Sequence, residues 1–395
     1  MAVFPGWVSS VFSIHVLAAY SFHSFSHSSY LVIPAFVAFI SFSTARKSGS
    51  FTHSVRLSPV LHSLIHHICL SQPQLAMKFI LSCKLIILNF VILQQNNFNM
   101  NYQLGTQYPK DDNFKAKARL HQSHFRSEIL QVDFDEYGNR LTRADALNYL
   151  NFYPGLGVIE TIKNRYPKYS KGLYADMLRS EHIPFNMFAP LKQDLNFAKK
   201  VFSQLTNLEI KEITEIKIEY APLPAAEYLN DKTSFDTYVE FITDAGEMGF
   251  LGIEVKFTEH EYKLKPNSKE ANDIDKLDSP YEKISNCPGL FVPDSMKKLK
   301  SDRLRQIWRN HLLGESILLH TETKFKHFIS LLFYPSGNKH FAKVIPEYKS
   351  LLAPVNRNKL LGITFESYFD ILSQFTLSNE YANWLQYLKS RYEVK

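Results

Sequence analysis

Residues 234–259 read SFDTYVEFITDAGEMGFLGIEVKFTE, and how this stretch pairs with itself decides the fold. In its first half Phe235, Val239 and Phe241 alternate with Asp236, Tyr238 and Glu240. In its second half Leu251, Ile253, Val255 and Phe257 alternate with Gly252, Glu254 and Lys256. A period of two means a strand with one face in a core and the other left for chemistry. Between the halves, residues 244–247 (Asp-Ala-Gly-Glu) supply a turn, with Gly246 free to take a positive φ. A turn centred there makes the numbers of opposed residues sum to about 490–492, which puts Asp236 beside Glu254 or Lys256. Two acids and a lysine therefore converge on one polar face.

Two neighbouring carboxylates repel unless a cation sits between them. An all-oxygen site suits Mg²⁺, which takes one or two carboxylates and completes its shell with water and substrate phosphate. Such an ion lowers the pKa of its water and stabilises charge on a phosphate oxygen. Lys256, on the same face, can orient that water or neutralise the phosphate, so the expected reaction is phosphodiester hydrolysis. The plain alternative is a solvated polar face. Glu-x-Lys occurs seven times in this chain, beginning at Glu209, Glu215, Glu254, Glu261, Glu322, Glu347 and Glu393, so the triplet alone carries almost no information. Context separates Glu254 from the rest: aliphatic neighbours Ile253 and Val255, and Asp236 in a compatible register.

Outward from the hairpin, residues 213–220 alternate again, a third strand whose Glu219 lies at the edge of the same polar face. Residues 260–286 are charged and turn-rich and read as an excursion or mobile flap. Lys297, Lys298, Lys300, Arg303, Arg305 and Arg309 crowd the start of a helix reaching about residue 313. Its core stripe is Leu304, Ile307, Trp308 and Leu312, while Gln306 and Asn310 share a face with Arg303. Residues 327–334 are continuously apolar, as in a doubly covered central strand. Helical patterns occupy 341–352, 365–377 and 381–392. Upstream, residues 114–130 read as a helix on which Lys115, Arg119, Gln122 and Arg126 form one polar, basic stripe. That stripe is either a solvated face or a phosphate-contacting surface. Shorter helices follow near 143–152, 158–165, 173–180 and 191–205.

The first 99 residues are of another kind. They contain no Asp or Glu, and their only formal charges are Arg46, Lys47, Arg56, Lys78 and Lys84. Removing these five from the 45 basic residues leaves 40 against 38 acids, so most of the net +7 belongs to this stretch. Net charge alone does not argue for nucleic acid. The apolar runs at 30–42 and 79–93 fall short of the roughly 20 residues of a membrane span. The segment from Met77 imitates a signal peptide without a small-residue cleavage site. His66, His67 and Cys69 lack neighbours to complete a metal site. The expectation is that residues 1–99 are not a working domain, being upstream sequence with Met100 as the true start; a membrane anchor is the competing reading. Cys287 is the only cysteine after position 99, which fits a reducing, cytoplasmic setting.

The arrangement of Asp236 followed by Glu254-Val255-Lys256 resembles the core motif of the PD-(D/E)XK nuclease superfamily. The wider run is similar to a bacterial restriction-endonuclease-like family. Its resembling pieces are residues 118–123 (ARLHQS) with Arg126, 219–222 (EYAP), 234–236 (SFD), 252–256 (GIEVK) and 304–313 (LRQIWRNHLL). The likeness spans about residues 115–377. It implies an α/β fold with a restriction-endonuclease-like core at about 210–345, a mixed central sheet flanked by helices, within a single domain at 100–395. It implies that Asp236 and Glu254 hold Mg²⁺ with the Val255 carbonyl, that Lys256 is the catalytic lysine, and that Glu219 is an extra acid. Gln306 is similar to the helix glutamine of exonuclease-like branches, but Asn310 stands where those have Tyr, and Phe235 replaces the proline before the first acid. The expected partner is DNA, contacted by Lys115, Arg119, Gln122, Arg126, Arg303 and Arg309, with no membrane for the 100–395 body. A homodimer and a cognate methyltransferase are left open. The expected activity is Mg²⁺-dependent DNA cleavage in restriction or defence. A repair or recombination nuclease, or a non-catalytic nucleic-acid-binding protein, is the alternative.

Overall fold

The computed structural model describes residues 10–16, 38–47, 50–57 and 103–394. The chain divides into two compact units, Met1–Phe98 and Asn99–Lys395. In the first, β1 (Ser10–Val16), β2 (Ala38–Lys47) and β3 (Ser50–Leu57) form an antiparallel sheet in chain order. The run at 79–93, the group at His66–Cys69 and Met100 lie outside the described residues.

The second unit is built on five strands: β4 (Ile210–Tyr220), β5 (Phe235–Thr243), β6 (Met248–Val255), β7 (Phe325–Tyr334) and β8 (Leu360–Thr364). They lie side by side in chain order, β4–β5–β6 antiparallel and β6–β7–β8 parallel. The expected hairpin is present. Thr237 opposes Ile253 and Tyr238 opposes Gly252, a register that carries Asp236 alongside Glu254. Gly246 turns the chain with φ 81°, where a side chain would be strained. A parallel neighbour cannot be reached by a tight turn, so long helical crossovers join β6 to β7 and β7 to β8.

Six longer helices flank the sheet: α1 (Asn113–His124), α2 (Leu195–Thr206), α3 (Arg305–Leu319), α4 (Lys339–Leu351), α5 (Phe365–Ser373) and α6 (Asn379–Tyr392). One sheet face presents Val239, Leu251, Ile253, Val255, Leu331 and Phe333 to a core shared with α1, α2, α5 and α6. The opposite face presents Tyr238, Phe250, Phe328 and Leu332 to α3 and α4. The result is a three-layer α/β arrangement with a mixed sheet flanked by helices, as expected.

Several local expectations change. The basic run before α3 is not continuous helix: a short turn, Met296–Leu299, precedes it, and the Leu304 and Arg305 amides close back on the Ser301 carbonyl. The 260–286 excursion is docked rather than loose. It contains helices Lys269–Asp275 and Pro280–Ser285, and Ile274 and Tyr281 are buried beneath it. Strand β4 starts three residues earlier than the alternation suggested, because two register irregularities interrupt its period of two. Among the described residues, no helix is long and apolar enough to cross a membrane.

Candidate active site

Asp236 opens β5 and Glu254 nears the end of β6, so antiparallel pairing brings both to one end of the hairpin. Asp236 Oδ2 accepts a hydrogen bond from the Val255 N–H at 2.7 Å. Lys256 follows β6 directly, and its own N–H continues the pairing to β7 through the Phe333 carbonyl at 2.8 Å. Its ammonium lies 2.5 Å from Glu254 Oε1. Gln306 Nε2 donates to the same oxygen at 2.5 Å, and Asn310 Nδ2 donates to Glu254 Oε2. Gln306 and Asn310 sit one turn apart on α3, a spacing that aligns side chains on one helix face. Glu254 and Lys256 are 6 % and 8 % exposed, so this polar face is covered and not the solvated face of the plain alternative. A pocket opens above them, walled also by Arg303 and by His260 and Tyr262 of the excursion.

The charges around this point are coupled. Burial and the neighbouring Glu254 and Glu219 carboxylates push Asp236 well above the usual range, only partly offset by Lys256 and the Val255 amide. Glu219, one residue before the end of β4, has φ 59° and accepts from Ser234 Oγ at 3.4 Å. Burial, then the Glu254 charge, raises it to about 7. Burial works against the Lys256 ammonium, but Glu254, Asp236 and Glu259 outweigh it and its pKa rises. Glu259 is itself held ionised: burial opposes its charge, while Lys256 and backbone N–H groups more than compensate. Ser180 and Phe257 N–H donate to its two oxygens at 3.0 and 2.9 Å. Asn338, fully buried, donates to the Phe257 and Glu259 carbonyls at 3.0 and 3.1 Å and so fixes the segment that follows Lys256.

Among the described residues, no three His, Cys, Asp or Glu side chains are grouped to hold a metal ion. A hydrated Mg²⁺ needs only one or two carboxylates. Asp236 accepts the Val255 N–H, and its pKa is raised by burial and then by the neighbouring Glu254 and Glu219 charges, which a cation would relieve. Asp236 and Glu254 therefore fit an all-oxygen divalent ion.

The expected basic stripe on α1 is not a surface. Arg119, Gln122 and Arg126 are buried. Arg119 pairs with Asp111 at 2.5 Å and donates to Asn139 at 2.6 Å. Gln122 donates to the Arg391 carbonyl at 2.6 Å, and Arg126 is spent on the Gly138, Val132 and Gln103 carbonyls. Only Lys115 of the four keeps partial exposure. Helical spacing identified a shared face, but that face is covered by α6 and the 103–139 loops. Arg309 is also buried, ion-paired with Asp231 at 3.0 Å and Glu270 at 2.6 Å, and it ties the excursion to the loop before β5. Arg303 remains half exposed at the pocket, 2.7 Å from Glu347. Asn310, Glu259 and Asn338 were not expected as parts of the site. Only Asn310 had a sequence signal, its i+4 spacing from Gln306.

The family model described as the PD-(D/E)XK nuclease superfamily matches residues 109–393, well over half of the chain. No curated protein matches, and no solved structure matches. With the family match covering the whole five-stranded unit and its helices, the chain belongs to the PD-(D/E)XK nuclease superfamily.

Proposed function

We propose that the protein is a Mg²⁺-dependent nuclease that hydrolyses DNA phosphodiester bonds in the cytoplasm, serving restriction or another defence against foreign DNA. The observation that carries the chemistry is the convergence of Asp236, Glu254 and Lys256 at one covered end of the hairpin. Asp236, Glu254 and the Val255 carbonyl would hold the ion, which when bound supplies a water of lowered pKa and charge stabilisation at a phosphate oxygen.

The rest follows from the chain's own groups. Burial works against the Lys256 ammonium but the surrounding carboxylates favour it, which suits a fixed cation. Its role is to hold the attacking water or to neutralise charge growing on the phosphate, an electrostatic contribution made strong by burial. Gln306 and Asn310 fix the Glu254 carboxylate from above. Glu219, with a pKa near neutrality, can take or release a proton beside Asp236. Arg303, exposed at the pocket rim, is the group best disposed to meet a DNA phosphate.

The test is cleavage of plasmid, linear duplex and single-stranded DNA by the intact protein with Mg²⁺ and with a chelator. Cleavage that requires the ion and disappears in Asp236→Asn supports the reading; cleavage indifferent to both overturns it. The defence role rests on the likeness of the sequence to a restriction-endonuclease-like family. A DNA methyltransferase gene beside this one supports it, and a neighbourhood of repair genes would point to repair.

A further inference from the structure

We propose that Asn310 is a positioning residue that makes Glu254 bind its divalent ion through one oxygen, Oε2. The inference rests on the metal-dependent reading above and goes beyond it. A carboxylate has about four acceptor positions, two on each oxygen. Glu254 Oε1 is filled, by the Lys256 ammonium at 2.5 Å and the Gln306 amide at 2.5 Å. Oε2 takes one donor, the Asn310 amide, and retains one position. That remaining position is the place for a cation.

Asn310 has little freedom to do otherwise. It is 6 % exposed, and its neighbours Trp308, Leu312 and Leu313 anchor α3 in the core. An amide is a neutral donor, so it steers the carboxylate without competing for the ion or repelling it. Without it, no other side-chain donor among the described residues holds Oε2 against rotation of the carboxylate toward the two donors on Oε1. A group one turn after Gln306 thus decides which oxygen is offered.

The experiment is calorimetric titration of Mn²⁺ alone into the intact protein, free of nucleic acid, for wild type, Asn310→Leu and Asn310→Ala. Mn²⁺ suits the same oxygen ligands as Mg²⁺. Leucine keeps the volume without the donor; alanine serves if leucine does not fold, with folding checked by cooperative thermal unfolding. The expected result is Mn²⁺ binding weakened by about 10- to 100-fold in a folded variant, the usual effect of losing a group that orients a ligand. A folded variant that binds Mn²⁺ as tightly as wild type overturns the proposal. Failure of wild type itself to bind Mn²⁺ overturns instead the metal-dependent reading beneath it, so the two failures are told apart.

Discussion

Two buried cations show what single residues contribute. Lys256 is surrounded by acids and stays charged; Arg391, fully buried on α6, is surrounded by neutral groups. It donates to the Asn151 carbonyl at 2.8 Å and to His182 Nε2 at 3.1 Å. Burial, then Arg391, holds His182 well below its ordinary pKa of 6.5, so its ring is neutral in the folded protein. Once unfolded, the ring takes up a proton below that pH. The contribution of this residue to stability is therefore complete above about pH 6.5 and declines as pH falls, with a slope approaching about 1.4 kcal/mol per unit, opposite in sign to that of the raised Glu219 carboxyl. His182→Gln keeps an acceptor for Arg391 and is expected to flatten that slope between pH 6.5 and 5 in urea unfolding. An unchanged slope would mean another group sets the acid limit.

Elements show why some of this was legible in the sequence and some was not. Asp236, Glu254 and Lys256 could be found because local rules set their register: a turn at Gly246 and a period of two. The α1 stripe misled because periodicity tells which residues share a face and not what covers it. Gln122 bonds to Arg391, 269 residues later. Strand β8 was missed because its five residues are too short for a pattern and are held by pairing with β7. Likewise, the seating of α3 depends on a glycine that the helical pattern would not ask for. A Cβ at Gly314 would lie 2.0 Å from Cζ of Phe328 on β7. That ring is hemmed in by Phe250 at 4.9 Å and His311 at 5.7 Å. Alanine there gains about 1 kcal/mol of helix propensity, yet overpacking costs about 1–3 kcal/mol. With the ring confined, Gly314→Ala is expected to lower the thermal midpoint and weaken Gln306 and Asn310 as supports of Glu254. A raised midpoint would show that α3 has slack.

At the scale of the whole molecule, the sheet's first face is closed by helices from both ends of the second unit. Trp384 donates to the Asn186 carbonyl at 2.7 Å, Asn186 donates to Tyr392 Oη at 2.8 Å, and Tyr368 donates to the Met187 carbonyl at 3.0 Å. These bonds all lie within the second unit, and we propose that the working unit is residues 100–395. That fragment is expected to unfold cooperatively and to cleave DNA as the longer chain does; a fragment that folds but does not cleave would give the first unit a part in the activity. We propose that the phosphodiester bond is broken at the covered end of the β5–β6 hairpin. The most direct test compares the intact protein with Lys256→Ala, measuring DNA cleavage with Mg²⁺ and DNA binding in the same samples. The expected result is binding retained and cleavage reduced by about 10²-fold or more. Equal cleavage by the two proteins, or no cleavage by wild type of any DNA form offered, would contradict it.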